Sequence, residues 1–134
     1  MRALGVLVVA WMAAASFLAA APGGQQQAKF SGPTDFQVFC TSCHGAEGKG
    51  DGPIAKSLPK RPPDLTRLSA RHDFTFPDDQ VFKTIEGKSG AHSNVDMPVW
   101  SDVFSKAQES LGADAASERI RALVNYLETV QAKR

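Results

Sequence analysis

The chain has 134 residues, with fifteen Lys and Arg against fourteen Asp and Glu, so its formal net charge is +1 at pH 7. That length suits one small domain, and the near-neutral charge argues against nucleic-acid binding, which needs a basic surface. The charges are uneven, because residues 49–71 carry a balance of +4 and residues 72–118 a balance of −6. This dipole would orient a weak encounter with a charged partner, or it is a solvated surface without that role.

The first 21 residues have the pattern of an export signal. Arg2 precedes nineteen uncharged residues that end in three alanines, and a basic start, an apolar run and a small-residue end are typical of a secretory signal peptide. The alternative is an N-terminal membrane anchor, because residues 1–21 are long enough to span a bilayer as a helix. Both readings place the rest of the chain outside the cytoplasm, periplasmic or exported, soluble or anchored to the outer face of the cytoplasmic membrane.

Residues 22–29 are rich in Gly and Gln and predict a flexible linker, which leads into a domain over residues 30–134. The first helix is predicted from about 33 to 42, because a proline and an aspartate suit its first turn. Residues 45–76 are predicted to be loop, since their glycines and prolines leave no regular period. Such a long loop is unusual in a compact domain unless it wraps a large flat cofactor.

Two further helices are predicted in the second half of the domain. One starts at Pro77 and stops at Gly87, with an apolar face. Residues 88–97 are predicted to be loop, and residues 98–112 irregular with at most a short helical turn near 102–109. The last helix is the clearest, because its apolar residues recur at helical spacing. These residues are Ile120, Leu123, Val124, Leu127 and Val130.

Asp114 is predicted to cap the start of this last helix, and Lys133 with Arg134 suits its C-terminal end. No segment shows the sustained alternation of a strand. The predicted class is therefore all-α, with three to five helices and long loops.

The only two cysteines, Cys40 and Cys43, lie in a Cys-Thr-Ser-Cys-His sequence that ends at His44. C-x-x-C-H is the attachment motif of c-type haem. Two thiols three residues apart at a helix end can each add to one vinyl group of haem, and the next residue then brings an imidazole to the iron. The motif occurs once, so we predict one haem c per chain.

Three alternatives compete with haem at this motif. A disulfide would leave His44, the long loop and the export signal without a common explanation. A thioredoxin-like redox centre needs a βαβ context, which the sequence lacks. A structural zinc site needs four ligands with a second close pair, whereas His72 and His92 are single and far apart.

Haem iron in electron carriers commonly takes His with Met, a pairing that raises the potential. Beyond residue 21 the chain has one methionine, Met97, followed by Pro98. Core packing is the commoner role of Met, but Pro98 restricts Met97 to an extended backbone, which suits a side chain projecting from a stiff loop. We therefore predict His44 and Met97 as axial ligands of the iron, with His92 and then His72 as rivals for Met97. Trp100 is interpreted as an ordinary buried aromatic rather than a cofactor contact.

Over about residues 30–131 the chain resembles a small class I bacterial mono-haem cytochrome c. Besides the C-x-x-C-H motif, the matching pieces are Gly32-x-x-x-Phe36, Gly48 to Pro53, Pro63 to Thr66, Met97-Pro98 and Leu123-x-x-Tyr126. The resemblance implies the cytochrome c fold, wrapped round one covalent haem, in which the first and last helices cross at Gly32 and Phe36 packs on Tyr126.

The resemblance also implies that the carbonyl of Pro53 accepts a hydrogen bond from the imidazole of His44, which would fix the ring. The sequence departs from the family over residues 103–113, which leaves open what packs there over the haem edge.

The resulting expectation is a one-electron carrier and not an enzyme. It would be a monomer that docks weakly and transiently on membrane or periplasmic redox complexes, as in a respiratory chain, and it would bind no nucleic acid. The alternative is a haem subunit of a redox enzyme or a ligand-binding haem sensor, in which one axial position opens.

Overall fold

The computed structural model describes residues 30–89, 97–107 and 114–133. Within these ranges the chain is helical and has no strand, which confirms the all-α class. The predictions for residues 1–29, for the loop that contains His92 and for residues 108–113 lie outside the described residues. No helix in the described part of the chain is long and apolar enough to cross a membrane.

The described residues form five α-helices, joined by loops that include three short 3-10 turns. The α-helices are α1 Gly32–Phe39, α2 Thr41–His44, α3 Asp78–Glu86, α4 Trp100–Ala107 and α5 Ala115–Thr129. The 3-10 turns are Ala55–Ser57, Leu65–Arg67 and Ser69–Arg71, so the predicted loop over 45–76 contains no α-helix.

The first predicted helix is present in two pieces. The hydroxyl of Ser31 accepts a hydrogen bond from the Thr34 amide at 3.4 Å and caps α1. Cys40, with φ −111° and ψ −28°, ends α1, and the four residues of α2 follow it. The predicted position was correct, but the break at Cys40 was missed.

α5 forms the centre of the fold and packs against α1, α3 and α4. Its predicted apolar stripe is buried, except that Val130 lies one residue past the helix end and is partly buried. Asp114 does precede the helix, but its side chain makes no capping hydrogen bond. The reason is its backbone, which is already helical with φ −88° and ψ −8° instead of the extended form that a capping side chain needs.

α1 and α5 cross at the predicted glycine. A Cβ on Gly32 would lie 2.1 Å from the carbonyl oxygen of Ala122 and 2.8 Å from Cβ of Tyr126, so only glycine permits this approach. The rings of Phe36 and Tyr126 are 5.3 Å apart between centroids. The predicted crossing is therefore confirmed.

α3 is also confirmed, with Val81 and Ile85 buried and Gly87 directly after its last residue. The short helical turn predicted near 102–109 is part of a longer helix, α4, which begins at Trp100, so the irregular structure predicted there was wrong. Trp100 and Phe104, one turn apart, are both buried in the core, and the hydroxyl of Ser101 donates to the carbonyl of Glu86 at 2.7 Å. Burial of one aromatic pair against α5 thus stabilises a helix too short to show a clear sequence period.

Candidate cofactor site

A cavity of about 460 Å³ opens between the helices and the long loop. Its volume lies within the range of roughly 300–1,000 Å³ that is usual for ligand and cofactor sites. Most of the walls are apolar side chains from all parts of the fold. They include Phe36, Phe39, Leu65, Ile85, Trp100 and Leu127.

The predicted haem ligands meet at this cavity. Cys40, Cys43 and His44 line it from the end of α1 and from α2, and Met97 lines it from the segment before α4. His44 is buried, with 8% of its surface exposed, and Met97 is half-buried. The structure thus brings the thioether of Met97 to the same cavity as the two thiols and the imidazole of the distant C-x-x-C-H motif. Ligation of iron by His44 and Met97 stays a prediction.

His72 and His92 are the two histidines that rival Met97 as iron ligand. His72 also lines the cavity, but its residue is exposed. His92 lies outside the described residues.

Backbone hydrogen bonds hold the C-x-x-C-H segment against the loop that follows it. The amide of His44 donates to the Cys40 carbonyl at 2.8 Å, and the amide of Gly52 donates to the Cys43 carbonyl at 3.1 Å. A Cβ on Gly52 would lie 2.4 Å from the carbonyl oxygen of Ser42, so this contact also requires glycine. The loop therefore fixes the backbone that carries both thiols and the imidazole.

Pro53 follows Gly52 in this loop and is exposed. Its neighbour Gly52 contacts the C-x-x-C-H segment. The predicted hydrogen bond from the His44 ring to the Pro53 carbonyl stays a prediction.

The electrostatic environment of the Cys40 thiol differs from that of the reactive thiol in a redox C-x-x-C motif. Burial raises the pKa of the Cys40 thiol to about 12, and the negative charges of Asp35 and of a Cys43 thiolate add to the shift. Reactive thiols in redox C-x-x-C motifs instead have a lowered pKa, since the thiolate is the nucleophile. This environment disfavours the thioredoxin-like alternative.

Two basic residues and a histidine lie at the exposed edge of the cavity. Lys60, Arg61 and His72 line it and are exposed, and Arg61 donates from Nε to the carbonyl of Gly50 at 3.2 Å. Lys60 and Arg61 come from residues 49–71, whose excess positive charge was noted in the sequence, and His72 follows directly after them. The structure thus places part of that charge at the cavity opening.

The same region holds one acidic group in its ionised form. Burial opposes ionisation of Asp64, but hydrogen bonds from Thr66 and the charge of Arg71 lower the pKa of the carboxyl below its usual value. The Asp64 carboxylate accepts from the amide of Thr66 at 2.9 Å and from its hydroxyl at 2.6 Å. Both hydrogen bonds end on Oδ1 and lie within the turn that Asp64 begins.

Sequence reasoning missed part of the cavity wall. Trp100 is buried, as interpreted, and stacks on Phe104 at 5.4 Å, yet it also lines the cavity. The apolar face of α3 was identified from its period, but a period does not distinguish protein core from cofactor wall. The loop also contributes a stiff wall to the cavity. The one signal of this in the sequence was Pro62 and Pro63, which precede an Asp-Leu-Thr turn.

The residues at the cavity fit a c-type haem, because two thiols, a buried imidazole and a thioether converge on a mainly apolar space. No group of three or more His, Cys, Asp or Glu side chains in residues 30–89, 97–107 and 114–133 is arranged to hold a metal ion directly. A family model described as Cytochrome c matches residues 31–131. Comparison with curated proteins gave no match, and comparison with solved structures gave none.

Proposed function

Because the chain belongs to the cytochrome c family, we propose that it is a one-electron carrier with a single haem c attached through Cys40 and Cys43. Membership of this family implies a covalently bound haem and makes electron transfer the typical role. The observation that carries the finer proposal is the cavity at which both cysteines, His44 and Met97 meet. The proposal includes His44 and Met97 as axial ligands and a small class I bacterial protein with one haem.

The side chains of the cavity have separate tasks in this proposal. Cys40 and Cys43 tether the cofactor, and the buried His44 side chain is oriented by the backbone contacts of its segment. When bound, the haem supplies a one-electron couple at its iron. The apolar walls keep water away from the couple, and the rigid ligand segments limit the change in geometry between oxidation states.

The partners that this proposal implies are redox complexes in the membrane or periplasm. Lys60, Arg61 and His72 at the cavity opening would favour weak docking of an acidic surface there. The signal-like residues 1–21 support export of the domain.

The proposal is tested by expressing the chain in a host that matures c-type cytochromes. We expect an intact mass equal to the polypeptide plus one haem, haem that resists acid-acetone extraction, and a reversible reduced-minus-oxidised visible spectrum. Replacing both Cys40 and Cys43 by Ala should abolish attachment.

Two results would count against the carrier. A mature chain that weighs no more than its amino acids would exclude the haem protein altogether. Ready binding of CO by the ferrous protein at neutral pH would instead favour the sensor or enzyme-subunit alternative, because it requires an open axial position.

A further inference from the structure

A buried ion pair joins α1 to α5 behind one wall of the cavity. Arg119 donates from Nε and Nη2 to the two carboxylate oxygens of Asp35 at 2.8 and 2.6 Å. The side chains of Arg119 and Asp35 are only 15% and 7% exposed. Two parallel charge-assisted hydrogen bonds make this the strong form of an Arg–carboxylate contact. Each charge depends on the other for compensation, since burial removes most of the solvent that would otherwise screen it.

Aromatic rings enclose the guanidinium of Arg119. Its central carbon lies 4.6 Å from the ring centroid of Phe104, 4.9 Å from that of Phe39 and 5.7 Å from that of Phe30. These distances are within the range of cation–π interaction. The arginine is therefore held by contacts from α1, from α4 and from Phe30, two residues before α1.

One layer of rings separates this pair from the cavity. Phe39 makes edge contacts with Phe104 at 5.4 Å and with Trp100 at 5.6 Å. Phe39 and Trp100 line the cavity, whereas neither Asp35 nor Arg119 does. The pair thus lies behind the aromatic wall without touching the space that the cofactor would fill.

The charge of Asp35 nevertheless acts at the attachment site. The negative charge of Asp35 contributes to the raised pKa of the Cys40 thiol. Electrostatic effects extend further through a wall of packed rings than through water, because the effective dielectric constant there is lower. A full uncompensated charge at either position would therefore act on the oxidation equilibrium of a haem attached at Cys40.

We propose that Asp35 and Arg119 compensate each other's charge behind the Phe39–Trp100 wall, so that neither buried charge displaces the redox potential of the bound haem. This inference rests on the proposed haem carrier. Ferric haem carries one more positive charge than ferrous haem. A lone Asp35 carboxylate therefore favours the ferric state and lowers the potential, and a lone Arg119 guanidinium raises it. Asp35 and Arg119 are positioning residues. They act on the haem electrostatically and through the Phe39–Trp100 wall.

The test is a set of potentials measured at pH 8 on the matured holoprotein. We expect Asp35→Asn to raise the potential and Arg119→Gln to lower it, each by about tenfold in the redox equilibrium constant, or about 59 mV for one electron. The double variant Asp35→Asn/Arg119→Gln should return close to the wild-type value. A purely structural pair would shift both single variants in the same direction and would leave the double variant furthest from wild type, and that pattern would overturn the proposal.

Matched controls separate charge from packing. Arg121→Gln removes the same charge from the same helix, but Arg121 pairs with Asp78 at 3.1 Å on the surface, where the side chains are 44% and 49% exposed. We expect almost no shift in potential there, because solvent screens that pair. Arg119→Lys keeps the charge and loses the two-point contact, so it should lower the unfolding midpoint and leave the potential near the wild-type value. An Arg119→Lys potential as low as that of Arg119→Gln would refute the electrostatic role.

The same experiment distinguishes the inference from its premise. A wild-type protein without covalent haem contradicts the proposed function. A wild-type protein with a reversible haem potential that no substitution of Asp35 or Arg119 moves contradicts only this inference. If the single variants fail to fold, a potential of Arg119→Lys or of the charge-neutral double variant that is clearly displaced from the wild-type value overturns the inference.

Discussion

Met97 and His72 are two potential iron ligands that line one cavity from different segments. Met97 is half-buried and directly precedes Pro98, whereas His72 is exposed at the opening. A side chain that is already half-buried at the cavity loses less entropy and less solvation on binding iron than an exposed one. The position of Met97 therefore agrees with its predicted role as the ligand opposite His44.

Met97→Ala tests this assignment. We expect the potential to fall and the ferrous protein to bind CO, because loss of the thioether removes the ligand that raises the potential and opens the iron. Potentiometric titration and a CO difference spectrum measure both effects. His72→Ala is the control and should change neither. A normal spectrum in Met97→Ala would show that another residue holds the iron.

The C-x-x-C-H motif could be predicted from the sequence, whereas the ion pair behind the cavity wall could not. Cys40, Cys43 and His44 were predictable because three reactive groups with fixed spacing report one chemistry. The pair of Asp35 and Arg119 was not, because its members are 84 residues apart and each resembles an ordinary helix charge. Only the crossing of α1 and α5 brings their side chains together.

At the scale of elements, the crossing of α1 and α5 depends on the absence of a side chain at one position. Gly32→Ala is expected to lower the free energy of unfolding by about 1–3 kcal/mol, because the added Cβ would overlap the Ala122 carbonyl and force the helices apart. Urea titration of the holoprotein measures this change. Gln37→Ala, at an exposed position of the same helix, should alter stability by less than about 0.5 kcal/mol. Equal effects of the two substitutions would show that the close approach is not needed.

A second contact between elements ties the chain after α5 to the loop that walls the cavity. Gln131 donates from Nε2 to the carbonyls of Leu65 and Leu127 at 2.8 and 2.7 Å, and its Oε1 accepts from the amide of Ser69 at 2.9 Å. These three hydrogen bonds use most of the capacity of one amide side chain. The loop segment that contributes Leu65 to the cavity wall is thereby attached to the central helix.

We expect Gln131→Ala to destabilise the protein by about 1–3 kcal/mol, because the loss leaves three partly buried backbone groups without this partner. Hydrogen exchange should accelerate first at the amide of Ser69, and the shift of the urea midpoint gives the total. Asn125→Ala, an exposed position on α5, serves as the matched control. Unchanged exchange at Ser69 would mean that the side chain does not hold the loop.

Elements were predictable in proportion to their length and periodicity. α5 and α3 each present an apolar face over two or more turns, and Gly87 marks the end of α3 clearly. α4 was predicted only as a short turn because its evidence is one apolar pair, Trp100 and Phe104, whose burial depends on α5. The break at Cys40 had no signal of its own, because no glycine or proline stands there. Tertiary packing determined both features.

At the scale of the whole molecule, the charges divide between a basic loop region and an acidic remainder. The structure places Lys60 and Arg61 from the basic region at the opening of the cavity. Electrons leave a buried haem most easily where its edge is nearest the surface, so positive charge at the opening would orient an acidic partner there. The net charge of +1 is too small to do this by itself, and the position of the charges matters more than their sum.

Comparing Lys60→Glu with Lys83→Glu separates the effect of charge position from the effect of net charge. Both lysines are exposed, and both changes alter the net charge equally. Lys83 lies on α3 but does not line the cavity. On a gold electrode coated with a carboxylate-terminated monolayer, we expect Lys60→Glu to slow electron transfer by up to about tenfold, and Lys83→Glu to change it little. On an ammonium-terminated monolayer Lys60→Glu should be the faster of the two, and high salt should remove both differences. If the two variants behave alike at low salt, net charge alone governs the encounter and the cavity opening is not the docking surface.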